Sequence, residues 1–179
     1  MITTKELDRL IDFFISNERA GIERDLNNYR NIRMAANARG ADDKKHSHQR
    51  RIKPVILKKF AWGVESKATQ LEQAGSFEEI YEIVRSCKVQ NIGPLAIYDT
   101  SVRIAHIFHH EPKDVYLQRG AAWGARALGI RESRVPKQEF VKINSKFEQL
   151  NPHEIECFLC LHHRELHEST NAPLIARHC

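Results

Sequence analysis

The chain has 179 residues, of which 41% are hydrophobic and 28% are charged, and its formal net charge is +5 at pH 7. This length suits one domain whose core needs no disulfide or metal, and the apolar runs are shorter than the roughly 20 residues that span a bilayer. Four cysteines and no leader before the first helix favour a cytoplasmic protein with reduced thiols, and the positive charge permits a polyanionic partner.

Apolar residues recur with the helical period, whereas sustained strand-like alternation is missing. The predicted fold class is therefore all-α: one compact multi-helix domain over residues 1–179, containing a helix-hairpin-helix element at 76–109. In chain order the predicted helices cover residues 4–16, 22–38, 54–73, 76–84, 94–105, 114–128, 136–147 and 152–161. A basic loop is expected at 39–53 and an irregular tail at 169–179. Gly120 and Gly124, one turn apart, predict close approach of a second helix, and Trp62 and Trp123 are expected in the core.

The segment from Ser76 to Ala105 is the most informative part of the chain. Ser76 with Glu79 forms a capping-box pattern at the start of one helix, and Pro94 suits the first position of the next. Gly93 between them is expected to adopt backbone geometry closed to other residues. Main-chain amides at the start of the second helix would then face an anion, and a phosphate suits that place. The predicted amides are those of Gly93, Leu95, Ala96 and Ile97.

The connection Asn91-Ile92-Gly93 resembles the hairpin of helix-hairpin-helix DNA-binding proteins, in which two glycines flank an apolar residue. Asn91 occupies the first glycine position, and asparagine is the residue that best replaces glycine in left-handed backbone. The resemblance implies binding to the nucleic-acid backbone. An ordinary connection between two core helices is the alternative.

Residues 83–129 also resemble the helix-hairpin-helix DNA glycosylases, whose second helix is followed by a loop with a catalytic aspartate. The resemblance implies a catalytic role for Asp114, although an aspartate before an apolar helical run is also a typical N-cap. Leu95 stands where the bifunctional enzymes have a lysine, so their covalent step does not carry over. Asp99, an acid on an apolar helix face, is the second catalytic candidate or the ion-pair partner of Arg103. Tyr98 could stack on a base or sugar.

A second feature is the basic segment 44–59, which has seven formal positive charges and no acidic residue. Such a block releases counterions on meeting phosphates, and Arg50 and Arg51 can each bind phosphate oxygens with two parallel hydrogen bonds. A solvated loop is the alternative, and His46 with His48 could instead act as acid and base in RNA cleavage. The predicted nucleic-acid contacts are Lys44, Lys45, His46, His48, Arg50, Arg51, Asn91, Gly93, Leu95, Ala96 and Arg103, with Arg119 and Arg126 as further candidates.

Cysteines and histidines cluster near the C-terminus. The two-residue gap between Cys157 and Cys160 is typical of zinc ligands, and His163 follows on the same helical stripe. The residues of this stripe are too far apart along one helix for all of them to bind the same ion. A zinc site would therefore need Cys179 or His178 from the tail. We expect no cofactor, with this zinc site as the alternative to cysteines buried on an apolar helix face.

These observations favour a nucleic-acid-binding protein, with DNA as the expected partner, that contacts the backbone independently of sequence. A base-excision enzyme of the glycosylase kind is the second hypothesis. A non-catalytic interaction module with a C-terminal structural zinc is the third.

Overall fold

The protein is described by a computed structural model that covers residues 2–41 and 43–168. Within these residues the chain is mostly helical, as predicted. The α-helices are α1 (Thr4–Asn17), α2 (Arg19–Asn27), α3 (Ile32–Asn37), α4 (Pro54–Glu65), α5 (Ala68–Glu72), α6 (Phe77–Ser86), α7 (Pro94–Ile107), α8 (Arg119–Ala127), α9 (Lys137–Ile143), α10 (Pro152–Leu161) and α11 (His163–Glu168). Two 3₁₀ helices, η1 (Ser47–Gln49) and η2 (Ser145–Gln149), and two short strands, β1 (Asp114–Tyr116) and β2 (Arg134–Pro136), complete the described elements.

The chain divides into two compact units. Unit 1 comprises Met1–Glu23 and Lys113–Cys179, and unit 2 comprises Arg24–Pro112. That all of the chain forms one domain stays a prediction, because cooperative folding is a thermodynamic property that only unfolding experiments measure.

Unit 1 is built on α8 and α10, which pack closely together. A methyl group added at Gly124 would lie 2.4 Å from the Leu159 carbonyl oxygen, and one at Gly120 would lie 2.9 Å from Cys160 Sγ. The prediction that these glycines admit a second helix is therefore confirmed. Their core also includes Phe14 from α1 and Phe158 from α10, whose rings meet edge to face.

The two strands of unit 1 correct the predicted helix at 114–128. β1 and β2 pair antiparallel with Val115 opposite Val135, and α8 begins only at Arg119 after an extended Gln118. Asp114 is accordingly a strand residue and caps no helix. A three-residue strand carries too little periodicity to be recognised in a sequence, so the pairing escaped prediction.

Unit 2 contains the pairs α3 with α4 and α6 with α7. Local capping explains where α6 begins, because Ser76 accepts a hydrogen bond from the Glu79 amide while the Glu79 carboxylate accepts one from Gly75. The predicted helix at 54–73 is broken after Glu65, and the one at 22–38 is broken at 28–31. Buried apolar side chains from all four helices form the core of the unit, among them Ala35, Phe60, Phe77 and Ile104.

Three aromatic assignments are wrong. Trp62 is 73% exposed and Trp123 is 49% exposed, so neither is a core residue. Tyr98 is 1% exposed and meets the Phe77 ring edge to face, so it cannot stack on a nucleic-acid base. Helical period indicates which residues share a face, but it does not indicate which face finds a partner. None of the helices in the described ranges is long and apolar enough to cross a membrane.

Candidate nucleic-acid interface

The hairpin between α6 and α7 adopts part of its predicted geometry. Asn91 has a φ of 70°, which confirms the predicted left-handed backbone at this asparagine. Gly93 has a φ of −91° and a ψ of 169°, which other residues also adopt, so the predicted reason for a glycine there is wrong. A methyl group added at Gly93 would meet no atom within 4 Å. Gly93 thus leaves open space directly before the helix.

The start of α7 offers fewer free amides than predicted. No side chain caps this terminus, and Pro94 at its first position has no N–H. The Ile97 amide donates to the Gly93 carbonyl within the helix at 3.3 Å, which removes it from the predicted set, and Ala96 is buried. The amides of exposed Gly93 and half-buried Leu95 remain as the anion-binding candidates.

Six of the seven cations of the basic segment are exposed to solvent. Lys45 is the exception, because it is half-buried and its ammonium donates to the Ile52 carbonyl at 2.7 Å. Burial and then the charge of Arg39 lower the pKa of Lys45. The exposed cations lie before η1, in the turn between η1 and α4, and in the first half of α4. They are Lys44, Arg50, Arg51, Lys53, Lys58 and Lys59.

A polar network joins this basic segment to α7. Asp99 of α7 accepts hydrogen bonds on Oδ2 from His48 Nδ1 at 3.0 Å and from Gln49 Nε2 at 2.7 Å. Burial opposes ionisation of Asp99, but the His48 hydrogen bond and the Arg103 charge outweigh it and lower its pKa. The carboxylate can only accept, so Nδ1 of His48 carries the proton. The predicted site residues His48 and Asp99 therefore meet, although 51 positions separate them.

Gln49 extends the network inward to Arg103. Arg103 Nη2 donates to Gln49 Oε1 at 2.9 Å, and the guanidinium lies 4.8 Å from the centre of the Tyr29 ring. The glutamine thus bridges Asp99 and Arg103, which were expected to pair directly. Arg103 is 2% exposed, so its predicted contact with phosphate is wrong and its role is to hold the network.

His46 lies against the same network. Its ring centre is 4.9 Å from that of His48, and its Nδ1 accepts the His48 main-chain N–H at 3.4 Å. Nδ1 is therefore unprotonated, and the proton is on Nε2, which faces Asp25 Oδ2 at 3.4 Å. Both histidines are held by carboxylates, which fixes the start of the basic segment against its unit.

The charge of the protein is unevenly distributed between the two units. Unit 2 contains fifteen Lys and Arg residues and ten Asp and Glu residues, whereas the rest of the chain contains thirteen of each. All of the net charge of +5 therefore belongs to unit 2. A polyanion would be attracted to that unit rather than to the other.

The catalytic candidates have structural partners. Asp114 accepts from Arg134 Nε at 2.7 Å across the strand pair of unit 1, and Asp99 is engaged in the network of unit 2. Arg119 and Arg126 are exposed residues of α8 in unit 1. Neither aspartate lies free beside the hairpin, so the geometry gives the glycosylase hypothesis no support of its own.

The group of potential metal ligands around Cys157 differs from the predicted zinc site. Cys157 Sγ lies 3.6 Å from His153 Nε2 and 3.7 Å from Glu156 Oε2. His163 stacks on Trp123, and its Nδ1 lies 2.7 Å from the Cys160 carbonyl oxygen. Cys179 and His178 lie outside the described residues.

Two groups in the described ranges have ligand atoms within 4.8 Å of one another. One is His153, Glu156 and Cys157, in which the spacing of a histidine four residues before a cysteine was the signal that the prediction missed. The other is His46, His48 and Asp99, whose imidazole and carboxylate donors suit a divalent transition metal. Hydrogen bonds among their own members account for both groups without an ion.

Comparison with known proteins does not extend these assignments. No protein-family model matches the chain, and neither the curated proteins nor the solved structures gave a significant match.

Proposed function

We propose that the protein binds nucleic acid, with DNA as the expected partner, through the basic segment 44–59 and the start of α7. One observation carries the proposal: the whole net charge belongs to unit 2, and six of its cations are exposed in one short run of chain. Phosphate contacts from such side chains carry no direct base information, so the binding is independent of sequence. A cytoplasmic location belongs to the same proposal.

The Asp99 network supports a combined role for the two segments. It ties η1, which lies within the basic segment, to the helix whose uncapped start is the anion-binding candidate. The sugar–phosphate backbone of a nucleic acid would then meet both the fixed amides of α7 and the flexible cations of the basic segment on one unit. Charge supplies the affinity, and the hairpin supplies a fixed place for one phosphate.

Charge reversal in the basic segment tests the proposal. Arg50→Glu with Arg51→Glu should weaken binding to duplex DNA, single-stranded DNA and RNA of unrelated sequences by a similar factor of at least ten-fold at moderate salt, as measured by fluorescence anisotropy. The matched control is Arg131→Glu with Arg164→Glu, which makes the same charge change at two exposed positions of unit 1. Equal losses from both pairs would show that only overall charge matters and would contradict the proposed site.

Gly93→Val tests the hairpin separately. A Cβ added at Gly93 meets no atom within 4 Å and the backbone conformation suits any residue, so folding should be nearly unchanged. The side chain would nevertheless occupy the space that a phosphate needs. Binding that is unaffected by this change would remove the hairpin from the proposal and leave the basic segment.

A further inference from the structure

One face of α4 is exposed and combines an aromatic side chain with cations. Val55, Lys58, Lys59 and Trp62 follow the spacing of a single helix face, and all four are exposed. Trp62 at 73% exposure leaves most of a large indole in water. One exposed apolar residue is ordinary on a protein surface, so the surroundings of Trp62 decide its meaning.

Trp62 is part of the wall of a cavity of about 330 Å³ between α3 and α4 of unit 2. Pro54 and Leu57 of α4 add apolar surface beside the indole. This volume lies at the lower end of the range for small-molecule sites, roughly 300–1,000 Å³. The cavity therefore suits a flat group of the size of a nucleobase, with the indole face as one side.

Cations outnumber carboxylates in the wall of the cavity, where Arg39 is also paired with Asp43 at 3.2 Å. Four cations line it, namely Arg33, Arg39, Lys45 and Lys58, against the single carboxylate of Glu65. That carboxylate is already engaged, since Asn37 Nδ2 donates to it at 3.2 Å and Arg33 Nε lies at 3.9 Å. The ligand that complements an aromatic wall among cations is an aromatic group that carries negative charge.

We propose that this cavity receives an unpaired base of a single-stranded nucleic acid, stacked on Trp62, while the adjoining phosphates contact the surrounding cations. The inference rests on the proposed function and adds to it a preference for single strands. Exposed Arg50, Arg51 and Lys53 lead directly along the chain to Pro54 at the cavity, so neighbouring phosphates of the same strand meet the basic segment. Every base has an aromatic face, and stacking therefore preserves sequence independence.

Tryptophan fluorescence gives a direct readout. In a Trp123→Phe protein, Trp62 is the one remaining tryptophan of the chain. A short single-stranded oligothymidylate should quench its emission saturably, and a duplex of the same length should quench it less. Trp62→Ala in the natural chain should weaken oligothymidylate binding by roughly ten-fold, the loss typical of one stacked base, without changing the salt dependence.

Matched variants separate stacking from general charge or surface effects. Ile143→Ala removes an exposed apolar side chain from α9 of unit 1, outside both the cavity and the basic segment, and it should bind like the natural protein. Lys58 lines the cavity and Lys59 does not. Lys58→Glu should therefore weaken binding more than Lys59→Glu, which makes the same charge change at the next residue. Circular dichroism should show that each variant remains folded.

The outcomes distinguish the inference from the function on which it rests. If Trp62→Ala binds normally while reversal of Arg50 and Arg51 abolishes binding, stacking is refuted and backbone binding stands. If no nucleic acid binds the natural protein, both fail. If thymidine monophosphate binds as tightly as the oligonucleotide, the cavity is a site for free nucleotides, and the proposal that it receives a base of a single-stranded nucleic acid is refuted.

Discussion

Asp99→Asn tests whether the buried network holds the basic segment to the hairpin helix. The carboxylate accepts two hydrogen bonds through Oδ2, from His48 at 3.0 Å and from Gln49 at 2.7 Å. An asparagine oxygen can still accept from Gln49, but the charged acceptor for His48 is lost. The counter-charge to buried Arg103 is lost as well. One hydrogen bond to a charged group contributes roughly 1.5–3 kcal/mol, so we expect the free energy of unfolding at pH 7 to fall by about 2–3 kcal/mol.

The pH dependence makes this prediction specific. Because the pKa of Asp99 is lowered in the folded protein, its ionisation stabilises the fold above the unfolded-state pKa of roughly 3.9. That stability is lost as the pH falls through the lower, folded-state pKa. The difference between the natural protein and Asp99→Asn should therefore be full at neutral pH and shrink in strong acid.

Urea unfolding followed by circular dichroism at several pH values measures both effects. Asp43→Asn is the matched control, because Asp43 is 87% exposed and its ion pair with Arg39 is a surface pair. It should cost well under roughly 1 kcal/mol. Equal losses from the two variants, or a difference that grows in acid, would refute the stabilising role of the Asp99 carboxylate.

Two further predictions concern the stability of unit 1. Gly124→Ala should lower the free energy of unfolding by roughly 1–3 kcal/mol, since its methyl group would lie 2.4 Å from the Leu159 carbonyl oxygen and α8 and α10 must separate; a stabilised variant in urea unfolding would contradict this packing. Glu18→Ala removes the buried carboxylate 2.7 Å from His162 Nε2 and should cost roughly 1.5–3 kcal/mol in the same assay, as expected for a lost hydrogen bond to a charged group. Exposed Glu23→Ala, its control, should cost much less, and similar values for the two would disprove the importance of the buried pair.

Elements with local start signals were predictable from the sequence. The side chains of Thr3, Ser76 and Asn151 each accept a hydrogen bond from the amide three residues later, and α1, α6 and α10 begin within one residue of the predicted positions 4, 76 and 152. The left-handed backbone at Asn91 was predictable for the same reason, since it depends on the residue itself. Such features need no knowledge of distant parts of the chain.

Features that depend on distant contacts were not predictable. Val115 pairs with Val135 across the two strands, and His48 forms a hydrogen bond with Asp99. Both contacts join residues that are far apart in sequence. The sequence did indicate that Asp99 has a polar partner, because an acid on an apolar helix face needs one. Nothing in the neighbouring residues identified that partner as His48. Trp62 has the helical spacing of a core residue, and only the fold shows that its face is uncovered.

The salt dependence of DNA binding tests the central claim most directly. Six cations of the basic segment are exposed, and if four to six contact duplex phosphates, the logarithm of the binding constant should fall against the logarithm of salt concentration with a slope of roughly −3.6 to −5.4. Reversal of Arg50 and Arg51 should make that slope shallower by about 1.8. A slope near zero, or a slope unchanged by the reversal, would contradict nucleic-acid binding through this segment.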